Sequence, residues 1–115
     1  MSKLSVYAFI PARGGSKGIL RKNLADLAGK PLVAHTISQA QSSQWIDRVF
    51  VNSEDEEIRT VAASYGADVI SRPEELFHDN SVQEVDRLRQ WTIGELETQG
   101  HTIDIGVLLY ATSPL

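Results

Sequence analysis

The sequence predicts an α/β fold in which a parallel sheet carries helices on both faces. Three observations support this. Four short apolar runs, at residues 4–10, 48–52, 67–70 and 103–110, have the length and β-branched or aromatic content of strands. Three intervening stretches repeat apolar residues at helical spacing. The last run is nearly continuously apolar, as expected of a strand covered on both sides. Strand–helix alternation of this kind builds a parallel sheet. Right-handed crossovers then put the second and third strands on one side of the first and the fourth on the other.

The first strand, 4–10, is stopped by Pro11, which cannot donate to a sheet ladder. A glycine-rich stretch follows, and residues 24–30 read as a short connector. Pro31 suits the first position of a helix, in which Leu32, Val33, Thr36, Ile37 and Ala40 form one face through about Ser42. His35 on this helix is read as a packing or surface residue. The second strand, 48–52, ends at Ser53, a candidate N-cap. Glu54, Asp55, Glu56 and Glu57 complement the dipole of the following helix. That helix runs to Tyr65, and Gly66 closes it before the third strand. In the loop 71–80, Pro73 biases Arg72 toward an extended backbone. A helix over 81–98 puts Val85, Leu88, Thr92 and Leu96 on one stripe and Asp86, Arg87, Gln90 and Glu97 away from it. Trp91 is read as core or interface, and Gly100 ends the helix before the fourth strand.

The chemistry is concentrated after the first strand. Gly14, Gly15 and Gly18 interleave with Arg13, Ser16 and Lys17, and Arg21, Lys22 and Asn23 follow. Glycine permits positive φ and close approach of a ligand to the main chain. Successive free N–H groups in such a turn make an anion-binding concavity. Four cations lie between positions 13 and 22 of a chain whose formal net charge is -4. Positive charge is therefore local, at the carboxyl end of a strand, where open α/β sheets bind ligands. A polyphosphate fits. The spacing matches neither G-x-x-x-x-G-K-[ST] nor G-x-G-x-x-G, since Ile19 follows Gly18 and Ser16 and Ile19 stand where the latter needs glycine.

The stretch Ile10-Pro-Ala-Arg-Gly-Gly-Ser-Lys-Gly-Ile19, followed by Lys22-Asn23, closely resembles the signature of the acylneuraminate (CMP-sialic acid synthetase-like) cytidylyltransferase family. The resemblance runs through the whole chain and matches about the first half of a family member. It implies a Rossmann-like fold of the nucleotide-diphospho-sugar transferase type, with residues 1–115 as the nucleotide-binding part and the C-terminal half absent. It also implies transfer of CMP from CTP to an acidic nine-carbon sugar with release of pyrophosphate. On the resemblance, Arg13 and Lys22 are the candidate catalytic residues, with Lys22 at the α-phosphate. Gly14, Gly15, Ser16 and Lys17 cradle the phosphates, Asn23 and Arg72 face the ribose and cytosine, Ala12 is a further nucleotide-binding residue, and Ser81 is a further candidate for the base pocket. The family's Mg²⁺ ligands, remaining sugar contacts and most of its dimer interface lie beyond residue 115. No metal ligands are assigned here, and a homodimer is expected at full length. The expectation is a chain that binds CTP and is catalytically incomplete alone.

Two departures from the family pattern stand out. Tyr110-Ala-Thr-Ser-Pro-Leu115 replaces Gln-Pro-Thr-Ser-Pro-Leu or Gln-Ala-Thr-Ser-Pro, and that glutamine is associated with the sugar. Sialic acid and a related nonulosonic acid both stay open. Asn52-Ser-Glu-Asp55 stands near where the family often has Ser-Thr-Asp, a change read as structural. An octulosonate cytidylyltransferase, a sugar-1-phosphate enzyme and a non-catalytic nucleotide-binding domain are the alternatives.

Composition narrows the field further. The 115 residues suffice for one domain with a modest core. Absence of cysteine excludes disulfides, thiolate catalysis and cysteine-bound zinc. The acidic balance argues against nucleic acid as partner. The amino terminus lacks a secretory pattern and the longest apolar run is far short of a membrane span, so the cytoplasm is the expected compartment.

Overall fold

The first strand, β1 (Val6–Pro11), alternates its side chains across the sheet, and both faces are buried. Ala8 and Ile10 point to one side with Val49 and Val51, and Tyr7 and Phe9 point to the other with Phe50. The computed structural model describes residues 4–12, 26, 27, 29–71 and 82–109.

Among these, β2 (Asp26–Leu27) and β3 (Lys30–Pro31) form a two-residue antiparallel ladder, followed by α1 (Leu32–Gln41). Then come β4 (Arg48–Ser53), α2 (Glu56–Ser64), β5 (Asp68–Ser71), α3 (Val82–Thr98) and β6 (Ile105–Leu108). The main sheet has the order β5-β4-β1-β6 with every pairing parallel. This is the arrangement expected from the sequence, with the first strand second from one edge.

Helices cover both faces. On one side α1 and α2 contribute Val33, Ile37, Ala40, Ile58 and Ala62 to a cluster with Ala8, Ile10, Val49 and Val51. On the other, Leu96 of α3 packs with Tyr7, Phe9 and Phe50, supported by Ile93 and Leu108. Each fully buried side chain of this size contributes roughly 1.5–3 kcal/mol through removal from water. The expected stripe on α3 is present at Leu88, Thr92 and Leu96, while the side chain of Val85 lies outside the described residues. Trp91 and His35 are half-buried.

Several boundaries differ from expectation. Pro11 does not stop β1 but forms its last residue, in register with Asn52; the next donor needed by the ladder is the Ala12 N–H. The connector 24–30 contains β2 and the turn into β3. Pro31 is the cap of α1 and not its first residue, because it is extended (φ -60, ψ 150) and pairs with Asp26. Ser53 is the last residue of β4, in register with Ser71, and Asp55 caps α2 in its place. The fourth strand is shorter than the run 103–110 and lies at the sheet edge, with Ile105 exposed.

Candidate functional site

All four strands of the main sheet are parallel, so their carboxyl ends share one rim. The chain leaves that rim from β1 after Ala12, from β5 after Ser71 and from β6 after Leu109. Residues 13–25, 72–81 and 110–115 follow those three points. Every candidate site residue is thus in a segment that adjoins the rim in sequence. Strands β1 and β6 are neighbours, held up to the rim by the Leu109 N–H, which donates to the Phe9 carbonyl at 3.0 Å.

Ala12 is the one candidate within the described residues. It is fully buried in the α1–α2 side of the core, and its N–H donates to the Asn52 carbonyl at 2.8 Å. The exit of the glycine-rich stretch from the sheet is fixed there. Arg13, Gly14, Gly15, Ser16, Lys17, Lys22, Asn23, Arg72 and Ser81 lie outside the described residues, as do Tyr110, Thr112 and Ser113.

The end of β4 beside Ala12 is polar and closely hydrogen-bonded. The Asp55 N–H donates to Ser53 Oγ at 3.0 Å, and Arg59 Nη1 donates to the Ser53 carbonyl at 2.8 Å. Asp55 Oδ1 accepts from the Glu57 and Ile58 N–H groups at 2.8 and 3.1 Å, with Glu56 and Glu57 in the first turn of α2. Asp55 therefore takes the capping role expected of Ser53, while Glu56 and Glu57 stand in the first turn as expected. Among the described residues no group of three or more His, Asp or Glu side chains is placed to hold a metal ion. The Mg²⁺ ligands that the resemblance implies are expected beyond residue 115.

Sequence reasoning missed one feature of this rim. Asn52 is 1% exposed and Thr92 0%, and Asn52 Nδ2 donates to Thr92 Oγ1 at 2.6 Å. An asparagine closing an apolar strand and a threonine inside an apolar helical stripe were the available signals.

The amino ends of the strands carry a different cluster. Arg48 Nε and Nη2 both donate to Asp68 Oδ2, at 3.1 and 2.9 Å, and the guanidinium lies over the rings of Tyr7 and Phe50. The hydrogen bond to Asp68 is the main cause that raises the Arg48 pKa above its ordinary value. His101 Nδ1 is hydrogen-bonded to Tyr7 Oη at 2.9 Å, edge-on to Tyr7 and Phe50. A cavity of about 260 Å³ lined by Gln41, Asp47, Arg48 and Asp68 opens at this end. Its ions already have partners in the fold, Asp47 Oδ2 accepting the Val6 N–H at 2.8 Å. The carboxyl rim is the candidate site.

The sequence pattern of the family described as Cytidylyltransferase matches residues 7–86, from β1 into α3. The N-acylneuraminate cytidylyltransferase of Escherichia coli is 44% identical over 79 residues, covering 69% of this chain and 19% of that protein. A pseudaminic acid cytidylyltransferase of Campylobacter jejuni is 41% identical over 106 residues, covering 92% and 45%. Among solved structures, a CMP:2-keto-3-deoxy-manno-octonic acid synthetase complexed with CTP shares the fold. Its TM-score is 0.74 at 22% identity, over 96% of this chain and 41% of that one. The chain spans less than half the length of each of these relatives. By the matched pattern and these relatives, the chain belongs to the cytidylyltransferase family.

Proposed function

We propose that this chain is the nucleotide-binding part of an enzyme that transfers CMP from CTP to an acidic nonulosonic sugar. The observation that carries the reading is the rim: the stretch Arg13–Asn23 leaves the carboxyl end of a strand interior to a parallel sheet, beside the edge strand β6. Relatives named for N-acylneuraminate and pseudaminic acid support a nonulosonic acid as acceptor. The alternative to sialic acid suggested by Tyr110 belongs to the same class.

In this reading the anomeric hydroxyl oxygen of the sugar forms a bond to the α-phosphorus of CTP. The bond from that phosphorus to the pyrophosphate oxygen breaks, and the hydroxyl proton is released. Negative charge builds on the phosphate oxygens and the leaving group, so catalysis consists of positioning and charge stabilisation. Arg13 and Lys22 supply fixed positive charge at the triphosphate. Gly14, Gly15, Ser16 and Lys17 cradle it. Ala12, with its N–H held by the Asn52 carbonyl, fixes where that stretch leaves the sheet. Asn23 and Arg72 hold the ribose and cytosine, and Ser81 adjoins the base. We extend the proposal to a cytoplasmic homodimer at full length, and to CTP binding without sustained turnover by these 115 residues alone.

Calorimetric titration with CTP, UTP, ATP and GTP, next to an Arg13→Ala variant, tests the reading. The expected result is CTP-selective binding that weakens at least tenfold in the variant, on the scale of a lost electrostatic stabiliser. Folded protein that binds none of the four, or all four equally, would overturn it. Steady pyrophosphate release by the 115 residues would overturn the statement on turnover.

A further inference from the structure

Among the described residues, the buried interior of the sheet's α3 face is aromatic and aliphatic except at one point. There Asn52 at the end of β4 meets Thr92 in the middle of α3, and both are buried. The directions of the hydrogen bonds are determined. Thr92 Oγ1 has a single proton, and it goes to the Leu88 carbonyl one turn back at 2.7 Å. The hydroxyl can therefore only accept from Asn52, which assigns Nδ2 to the Thr92 side at 2.6 Å. The backbone of the same Asn52 accepts the Ala12 N–H at 2.8 Å. A continuous series of bonds thus runs from the exit of β1, through Asn52, to α3, which begins at Val82 directly after residues 72–81.

Burying an amide and a hydroxyl is no gain in stability over a well-packed apolar pair. Replacing both partners by apolar groups of the same shape is close to neutral, whereas removing one leaves a costly orphan. What a polar pair adds is directionality: apolar side chains allow a helix to slide, but this bond specifies one register of α3 on β4.

We infer that the Asn52–Thr92 pair is a positioning element. It registers α3 on the carboxyl rim relative to Ala12, and CTP affinity depends on that register. The inference deepens the CTP-binding reading and rests on it. Neither side chain is assigned contact with the nucleotide.

The test is a double-variant cycle in the full chain: Asn52→Leu, Thr92→Val and the two combined. Each single change is expected to lower the melting temperature through the orphaned partner. In the combination the melting temperature returns toward the parent value, while the CTP dissociation constant stays at least fivefold weaker. Residue-level amide exchange supplies a second readout that needs no ligand. Ala12 is expected to exchange at least tenfold faster in the double variant, and Val33 in α1, on the other face, to stay within twofold.

Recovery of CTP affinity together with stability would overturn the inference, and so would unchanged exchange at Ala12. If the parent chain binds no CTP, the functional reading fails and Ala12 exchange alone decides this one. Should the double variant not fold, Thr92→Val and Thr92→Ser settle the matter. The serine variant keeps the hydroxyl and is expected to bind CTP within twofold of the parent, while the valine variant binds more weakly. Equal loss in both would overturn the inference.

Discussion

Asp55 accepts two backbone N–H groups that would otherwise have no intrahelical partner at the start of α2. Asp55→Ala is expected to cost about 1 kcal/mol, within the usual range for a lost N-cap. Urea unfolding checks it: the midpoint should fall while the slope stays constant. Four consecutive residues here, Ser53 to Glu56, are capable of capping or of first-turn placement, and local sequence alone favours the serine. Asp55 holds the position because Ser53 continues the β4 ladder opposite Ser71 and spends its hydroxyl on the Asp55 N–H. The choice was decided by strand length, which one-dimensional pattern does not resolve. Arg48 makes a different point. Its folded-state pKa is raised, chiefly by the Asp68 hydrogen bond, so its contribution is complete below the unfolded value and lost only as pH climbs through the folded one. The guanidinium therefore confers no pH dependence near neutrality. The pair is substantially solvent-exposed, at 42% and 45%, and is worth at most about 1 kcal/mol.

At the scale of elements, α3 approaches β6 closely because Gly106 has no side chain. A Cβ there would sit 3.0 Å from Phe9 Cε2 and 3.2 Å from Ile93 Cδ1, both in the packed core. Gly106→Val is expected to destabilise by roughly 1–3 kcal/mol, the usual cost of overpacking. The same urea experiment reads it, and a change below a few tenths would show that α3 can move away freely. Elements of this kind were legible to different degrees. The stripes of α1 and α3 and the runs of β1 and β4 were readable because burial imposes a period, and a period needs several residues to show. The ladder of β2 and β3 has two residues on each strand, too few for any periodic signal. The fourth strand was overestimated for a related reason. Ile103 is apolar and packs against the cluster of Tyr7, Phe9, Phe50 and Leu96, although it precedes the ladder, which starts at Ile105.

For the whole molecule, strand order was legible because handedness leaves few choices once alternation is recognised. The expectation of a nucleotide loop at residues 13–23 rests on composition and motif alone, and those residues lie outside the described ones. The Asn52–Thr92 pair was not, because it joins residues 40 positions apart and neither is unusual locally. If the chain binds CTP as proposed, ligand stabilises the fold as a unit. At a concentration 100 times the dissociation constant, the gain is about 2.7 kcal/mol. For a domain of this size that corresponds to a rise in melting temperature on the order of 10 °C. Differential scanning calorimetry at increasing CTP checks it, and a midpoint independent of CTP would contradict the proposal. The placement of β1 has one more consequence, for synthesis. Its two edges are completed at different times: Val6 meets Asp47, 41 residues later, but Ser5 meets Asp104, 99 residues later. A ribosome making about 5–20 residues per second leaves the second edge open for several seconds after the first has closed. During that interval a nascent three-stranded sheet presents an unpaired apolar strand, the form of this protein most exposed to chaperones and to misassociation.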